Sequence, residues 1–143
     1  MSIWFEGLSP DIETLNKLQQ NTVSEQLGIQ FTEVGADYIR ASMPVDNRTR
    51  QPYGLLHGGS SVVLAETLGS VAAALTQDIT KTRVVGQAIT ANHLRSARNG
   101  SVIGTVRADH IGRRSQVWSI DVHDGREKLI CVCRLTVAVL KEN

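Results

Sequence analysis

One carboxylate stands where its surroundings offer it no company. Glu66 lies inside SSVVLAETLGSVAAAL, residues 60–75, whose other members are almost all small or apolar. An ionised carboxylate is expensive to bury without partners, and a partly desolvated one is a better base or nucleophile than a solvated one. Ser70, one helical turn on, shares its face and is the polar side chain within the helix close enough to assist. Two readings stay open here. Glu66 is either a structural carboxylate satisfied by a neighbouring strand or at the helix edge, or a functional one.

Immediately upstream runs Gly54-Leu55-Leu56-His57-Gly58-Gly59. Glycines let backbone approach a ligand closely, and the first N–H groups of a helix are free. Reinforced by the helix dipole, such amides stabilise a developing oxyanion. Glycines needed only for a tight turn are the plainer alternative. Distance then becomes decisive, because Glu66 follows Gly58 by eight positions, roughly 12 Å along a helix. That is too far to attack a carbonyl held by its own helix's amides. Either the two features are unrelated, or a second copy brings its Glu66 beside this chain's Gly58. We favour the second option, which predicts an obligate dimer with two shared sites.

Other chemistries fit poorly. The four histidines, His57, His93, His110 and His123, form no HExxH pattern or short Cys/His pairing, so no metal is expected. No Ser sits in a G-x-S-x-G elbow. The glycine run is no phosphate-binding P-loop, since its spacing differs and no Lys precedes Ser60. Cys131 and Cys133, at i and i+2, read as reduced core residues poorly placed to bridge each other.

The elements that must position these groups follow from periodicity. Ser9 as cap, Pro10 at the first position and Ile12, Leu15 and Leu18 at helical spacing predict a short helix over residues 10–20. Alternation predicts strands over 29–34 and 37–43, then over 84–94, 101–110, 115–123 and 128–140. Turn signals at Asn99-Gly100, Gly112 and Asp124-Gly125 separate the later strands. Residues 44–59 form a long connection of the kind usually tied to function. It feeds a helix over 60–75, capped by Ser60 or Ser61 and apolar almost all round, which must be buried on most sides. The simplest packing is α+β: one curved antiparallel sheet wrapped around one central helix, a single domain over residues 1–143.

Bulk properties agree. The chain has 143 residues, 41% hydrophobic and 20% charged, with a net charge of +1. That length suits one domain, and that balance gives no broad field for nucleic acid or an anionic membrane. The N-terminus lacks the pattern of a signal peptide, and no run of about eighteen uninterrupted apolar residues suggests a membrane span. The expected location is cytoplasmic.

The segments QPYGLLHGGSSVVLAETLGSVAA, VVGQAITANHLRSAR and HIGRRSQVWSIDV closely resemble the hotdog-fold thioesterases. More narrowly they resemble the bacterial branch that hydrolyses 1,4-dihydroxy-2-naphthoyl-CoA, an intermediate of menaquinone biosynthesis, and related aryl-CoA thioesters. The likeness runs from about residue 27 to 140. It implies a hydrolase that needs no cofactor, coenzyme A being part of the substrate, and a homodimer commonly paired into a tetramer. It further implies that Glu66 is the catalytic carboxylate, as nucleophile or as general base. The Gly58 amide, with His57 nearby, then polarises the thioester carbonyl, Gln51 positions the thioester or water, and Ser70 assists Glu66. Gly86, the run His93, Leu94, Arg95, Ser96, and the turn His110, Ile111, Gly112, Arg113, Arg114, Ser115 line the coenzyme A path. Strand-end and turn arginines such as Arg95, Arg98, Arg113 and Arg114 suit phosphates. Gln87 and Ala88 depart from the aliphatic residue and acid of that branch, which bears on acyl preference. A non-catalytic acyl-CoA sensor and a hotdog hydratase or dehydratase are the competing readings.

Overall fold

The computed structural model describes residues 1–142. After a single 3-10 turn at Phe5–Gly7 come α1 (Ile12–Lys17) and α2 (Val23–Gln26). β1 (Gln30–Val34) and β2 (Tyr38–Pro44) precede the long helix α3 (Gly58–Leu75). β3 (Thr82–His93), β4 (Ser101–Ile111), β5 (Ser115–Asp124) and β6 (Leu129–Lys141) complete the chain. All strand pairings are antiparallel, and the six strands lie in the order β1-β2-β4-β5-β6-β3.

Strand alternation explains how the sheet covers the helix. Ile39, Ala41 and Met43 of β2, Val102 and Val106 of β4, and Trp118, Ile120 and Val122 of β5 turn one face inward and are buried. Against that face lie Leu64, Ala65, Leu68, Ala72 and Ala73 of α3, also buried. A side chain on Gly104 would come within 2.6 Å of Leu68, so this close helix-to-sheet approach needs a glycine. Polar ties fix the helix end: buried Gln116 donates to Thr76 Oγ1 at 3.0 Å and accepts from Trp118 Nε1 at 2.9 Å. By length and composition α3 could also cross a membrane. Its packing against β2 to β6 makes it the core helix of the fold.

Two caps differ from the sequence expectation. Helix α1 begins after Asp11, whose Oδ1 accepts the Thr14 N–H at 2.7 Å, and not after Ser9. A charged acceptor within reach of the third helical amide makes the stronger cap, and Pro10 is left outside. Helix α1 also ends early, at Lys17, and in its last turn the Asn16 side chain exchanges two hydrogen bonds with the backbone of Phe31 in β1. Helix α3 starts at Gly58, two residues before the expected start at residue 60, and neither Ser60 nor Ser61 is its cap. The cap is His57, an unusual residue there, and its imidazole supplies the acceptor.

Candidate active site

The start of α3 is built around that imidazole. His57 Nδ1 accepts the Gly59 N–H at 2.8 Å, which leaves Nε2 to carry the proton of the neutral ring. Ser60 and Ser61 donate to the His57 carbonyl at 3.0 and 3.4 Å. The Gly58 N–H is thus the early amide of the helix with no hydrogen-bond partner among the described residues. The His93 ring packs close against this glycine: a Cβ on Gly58 would lie 2.8 Å from it, and the ring would have to shift.

Gln51 approaches from the long connection. Its side-chain oxygen accepts the N–H groups of Tyr53 and Leu55, while its own amide N–H groups bond to none of the described residues. With Leu55, Leu56, Gly58, His93 and Arg95 it lines a groove of about 340 Å³ that also takes in Leu94, Ser96 and Ser61. The loop is well braced: Leu56 N–H donates to Ala97 O at 2.8 Å, and His57 N–H to Thr49 O at 2.7 Å. Two N–H donors without protein partners among the described residues, those of Gly58 and Gln51, thus belong to residues that line one groove.

Glu66 and Ser70 lie elsewhere. Glu66 is exposed in the single chain, contrary to the expectation of a desolvated carboxylate. The reason is topological: the helix flank that carries it faces β3, an edge strand with no further strand to cover it. The carboxylate hangs over Gly86, where an added Cβ would come 2.8 Å from Oε1. Ser70 is half-buried, and no hydrogen bond joins it to Glu66 among the described residues. Beside Gly86 the strand carries a β-bulge at Gln87, since Gly86 pairs with Val137 and Ala88 with Thr136.

The turn from His110 to Ser115 occupies a third place. Ser115 pairs with Ala138 of β6, whereas His93 pairs with Cys131, so the two stretches lie towards opposite ends of that strand. Arg113 and Arg114 join Lys141 around a cleft of about 590 Å³. One chain therefore gathers Gln51, His57, Gly58 and His93 to Ser96, and holds Glu66, Ser70 and Gly86 apart from them. Gly86 and His93 are seven positions apart on β3, on the order of 20 Å of strand. Sequence reasoning missed Ser61, and also Arg126 and Lys128, which face Arg95 and Arg98 across a second basic cleft. Their signal was the Asp124-Gly125 turn, read only as a connection.

The cysteines are free and buried, with sulfurs 3.5 Å apart. Burial, with the neighbouring Cys131, pushes the Cys133 thiol up to about 12.

A six-stranded antiparallel sheet around one 18-residue helix, with a free amide at the helix start, defines a hotdog-fold hydrolase of thioesters. The chain belongs to the thioesterase superfamily, whose model matches residues 53–131. It is 49% identical over 138 residues to the 1,4-dihydroxy-2-naphthoyl-CoA hydrolase of Escherichia coli K12, covering 96% of this chain and 99% of that one. It is 46% identical over 138 residues to the proofreading thioesterase EntH of Cronobacter turicensis, covering 96% and 98%. Among solved structures, a mutant of thioesterase PA1618 from Pseudomonas aeruginosa superposes with a TM-score of 0.96 at 46% identity, over 99% of this chain and all of the other. Acyl-CoA-type thioesters are the substrate class that this family implies.

Proposed function

We propose that the protein is a cytoplasmic homodimer that hydrolyses aryl- or fatty acyl-CoA thioesters, 1,4-dihydroxy-2-naphthoyl-CoA-like esters foremost. A pairing of two such dimers into a tetramer, and a place in menaquinone biosynthesis, belong to the same reading. The observation that carries it is the division of the site within one chain. Carbonyl-binding groups sit at one end of β3 and the carboxylate at the other. β3 is an edge strand of twelve residues with neither charge nor proline between Val84 and Asn92, an unprotected template for pairing. If two copies pair antiparallel about an axis near the middle of β3, the Gly86 end of one strand lies beside the His93 end of the other. Glu66 then stands over the neighbour's Gly58 groove.

The reaction follows from that placement. The thioester oxygen takes the N–H groups of Gly58 and Gln51. The neighbouring Glu66 either removes a proton from water as its oxygen adds to the carbonyl carbon, or adds directly to form an anhydride that water then opens. The carbon–sulfur bond breaks, and the departing thiolate receives a proton. Glu66→Gln keeps the shape and loses the base, so kcat should fall by roughly 10²–10⁴ while acyl-CoA binding persists. Thiol release from a panel of aryl- and fatty acyl-CoAs measures this. A wild-type protein that binds such esters tightly and turns over none of them is a sensor, and the proposal fails.

A further inference from the structure

Among the described residues the buried polar side chains are Ser24, Thr49, Ser60, Ser61 and Gln116. Three of them have partners. Ser24 Oγ and Thr67 Oγ1 share a hydrogen bond of 2.9 Å, Thr49 Oγ1 donates to Pro44 O at 2.7 Å, and Gln116 holds Thr76 and Trp118. The hydroxyls of Ser60 and Ser61, in the first turn of α3, bond to none of the described residues. These two serines differ in where they lie. Ser60 is 9% exposed and stands outside the Gly58 groove, whereas Ser61 is 1% exposed and lines it.

No fully enclosed side-chain oxygen or nitrogen lacks a partner among the described residues. The sliver of surface that Ser61 keeps therefore includes its hydroxyl, and the space it meets is the Gly58 groove. A helical serine commonly bonds back to the carbonyl four residues earlier. For Ser61 that is the His57 carbonyl, which already accepts the N–H groups of Ser60 and Ser61 at 3.0 and 3.4 Å. Gly58 precedes Ser61 by three positions, so the two share a helix face about 4.5 Å apart along the axis. An unpartnered amide and an unpartnered hydroxyl thus border one groove, one turn apart. Burying a hydroxyl without a partner destabilises a fold, and such a cost is typical of a group kept for function.

We propose that the Ser61 hydroxyl is a substrate-binding donor that gives its hydrogen bond to the thioester carbonyl oxygen, beside the Gly58 N–H. The assignment rests on the thioesterase reading and deepens it. Ser61 keeps its proton throughout, since no base among the described residues accepts it, and it is not a nucleophile. Its bond strengthens as the carbonyl becomes an oxyanion, which lowers the barrier more than it tightens binding. Ser61→Ala removes the hydroxyl and little else. On the benzoyl ester of coenzyme A, kcat should fall about 100-fold with KM nearly unchanged. The melting temperature should hold or rise, because no bond within the protein is lost. A rise in KM alone places the hydroxyl against the carrier's arm and overturns the assignment. A melting temperature that drops along with the activity makes Ser61 a structural residue and overturns it too.

Infrared difference spectroscopy reads the same bond without turnover. In Glu66→Gln protein, which holds the benzoyl ester uncleaved, the ester carbonyl band should move to lower frequency on binding. Adding Ser61→Ala should return it part of the way towards the free ester. A band that ignores Ser61 sinks the proposal. The two claims come apart in this measurement. A protein that binds the ester, cleaves none of it and shows the Ser61-dependent band keeps the donor and loses the hydrolase. Full turnover by Ser61→Ala, with the band unmoved, removes the donor and leaves the hydrolase standing.

Discussion

Glu66 and Gly86 meet where the flank of α3 crosses the bulged edge strand. The carboxylate is the flexible end of an exposed side chain, so a methyl group at position 86 pushes it aside without disturbing the core. Gly86→Ala should lower kcat by roughly 10–100-fold with little change in melting temperature, because small misplacements of a reacting group are costly. Steady-state kinetics beside a thermal melt checks it, and equal loss of both would mean a merely structural glycine. Glu66 was legible in the sequence as a charge among apolar residues. Its exposure was not, since that depends on which strand lies beside its helix flank. The His57 cap was hidden for a different reason: serines at 60 and 61 satisfy the usual capping preference, and an imidazole acceptor is a rarer solution.

Among the elements, α3 is held at both ends by different means. Its start is tied through His57 to the braced 44–59 connection, and its end through Thr76 to Gln116 and Trp118. Replacing Gln116 with Leu keeps the volume but leaves the buried Trp118 N–H without an acceptor. That should cost about 1–3 kcal/mol, read as a lower urea midpoint at unchanged slope. An unchanged midpoint would show that another group takes over the Trp118 N–H. All six strands were legible from alternation and turn residues, each found within two residues of its expected bounds. Short α2 carries too few residues for periodicity to register, and the tie of the Asn16 side chain to Phe31 of β1 is a tertiary contact that periodicity does not reveal.

At the scale of the molecule, strand order decides which surface is open to a second copy. Alternation reveals strands but not their neighbours, so nothing in the pattern of residues 82–93 marked β3 as an edge. The order β1-β2-β4-β5-β6-β3 places it there, carrying Gly86 under the carboxylate and His93 against Gly58. The helix arithmetic favours a second copy, and the unprotected strand offers a surface on which that copy can join. Complementation between chains tests the shared site directly. Glu66→Gln protein and Gln51→Ala/His57→Ala protein, each inactive alone, are dissociated, mixed in equal amounts and reassembled. Statistical pairing puts both lesions in one site of each mixed dimer and leaves the other intact, so about a quarter of wild-type activity should return. If thiol release stays at the level of the inactive parents while mixed dimers demonstrably form, each chain works with its own Glu66, and the shared site is wrong.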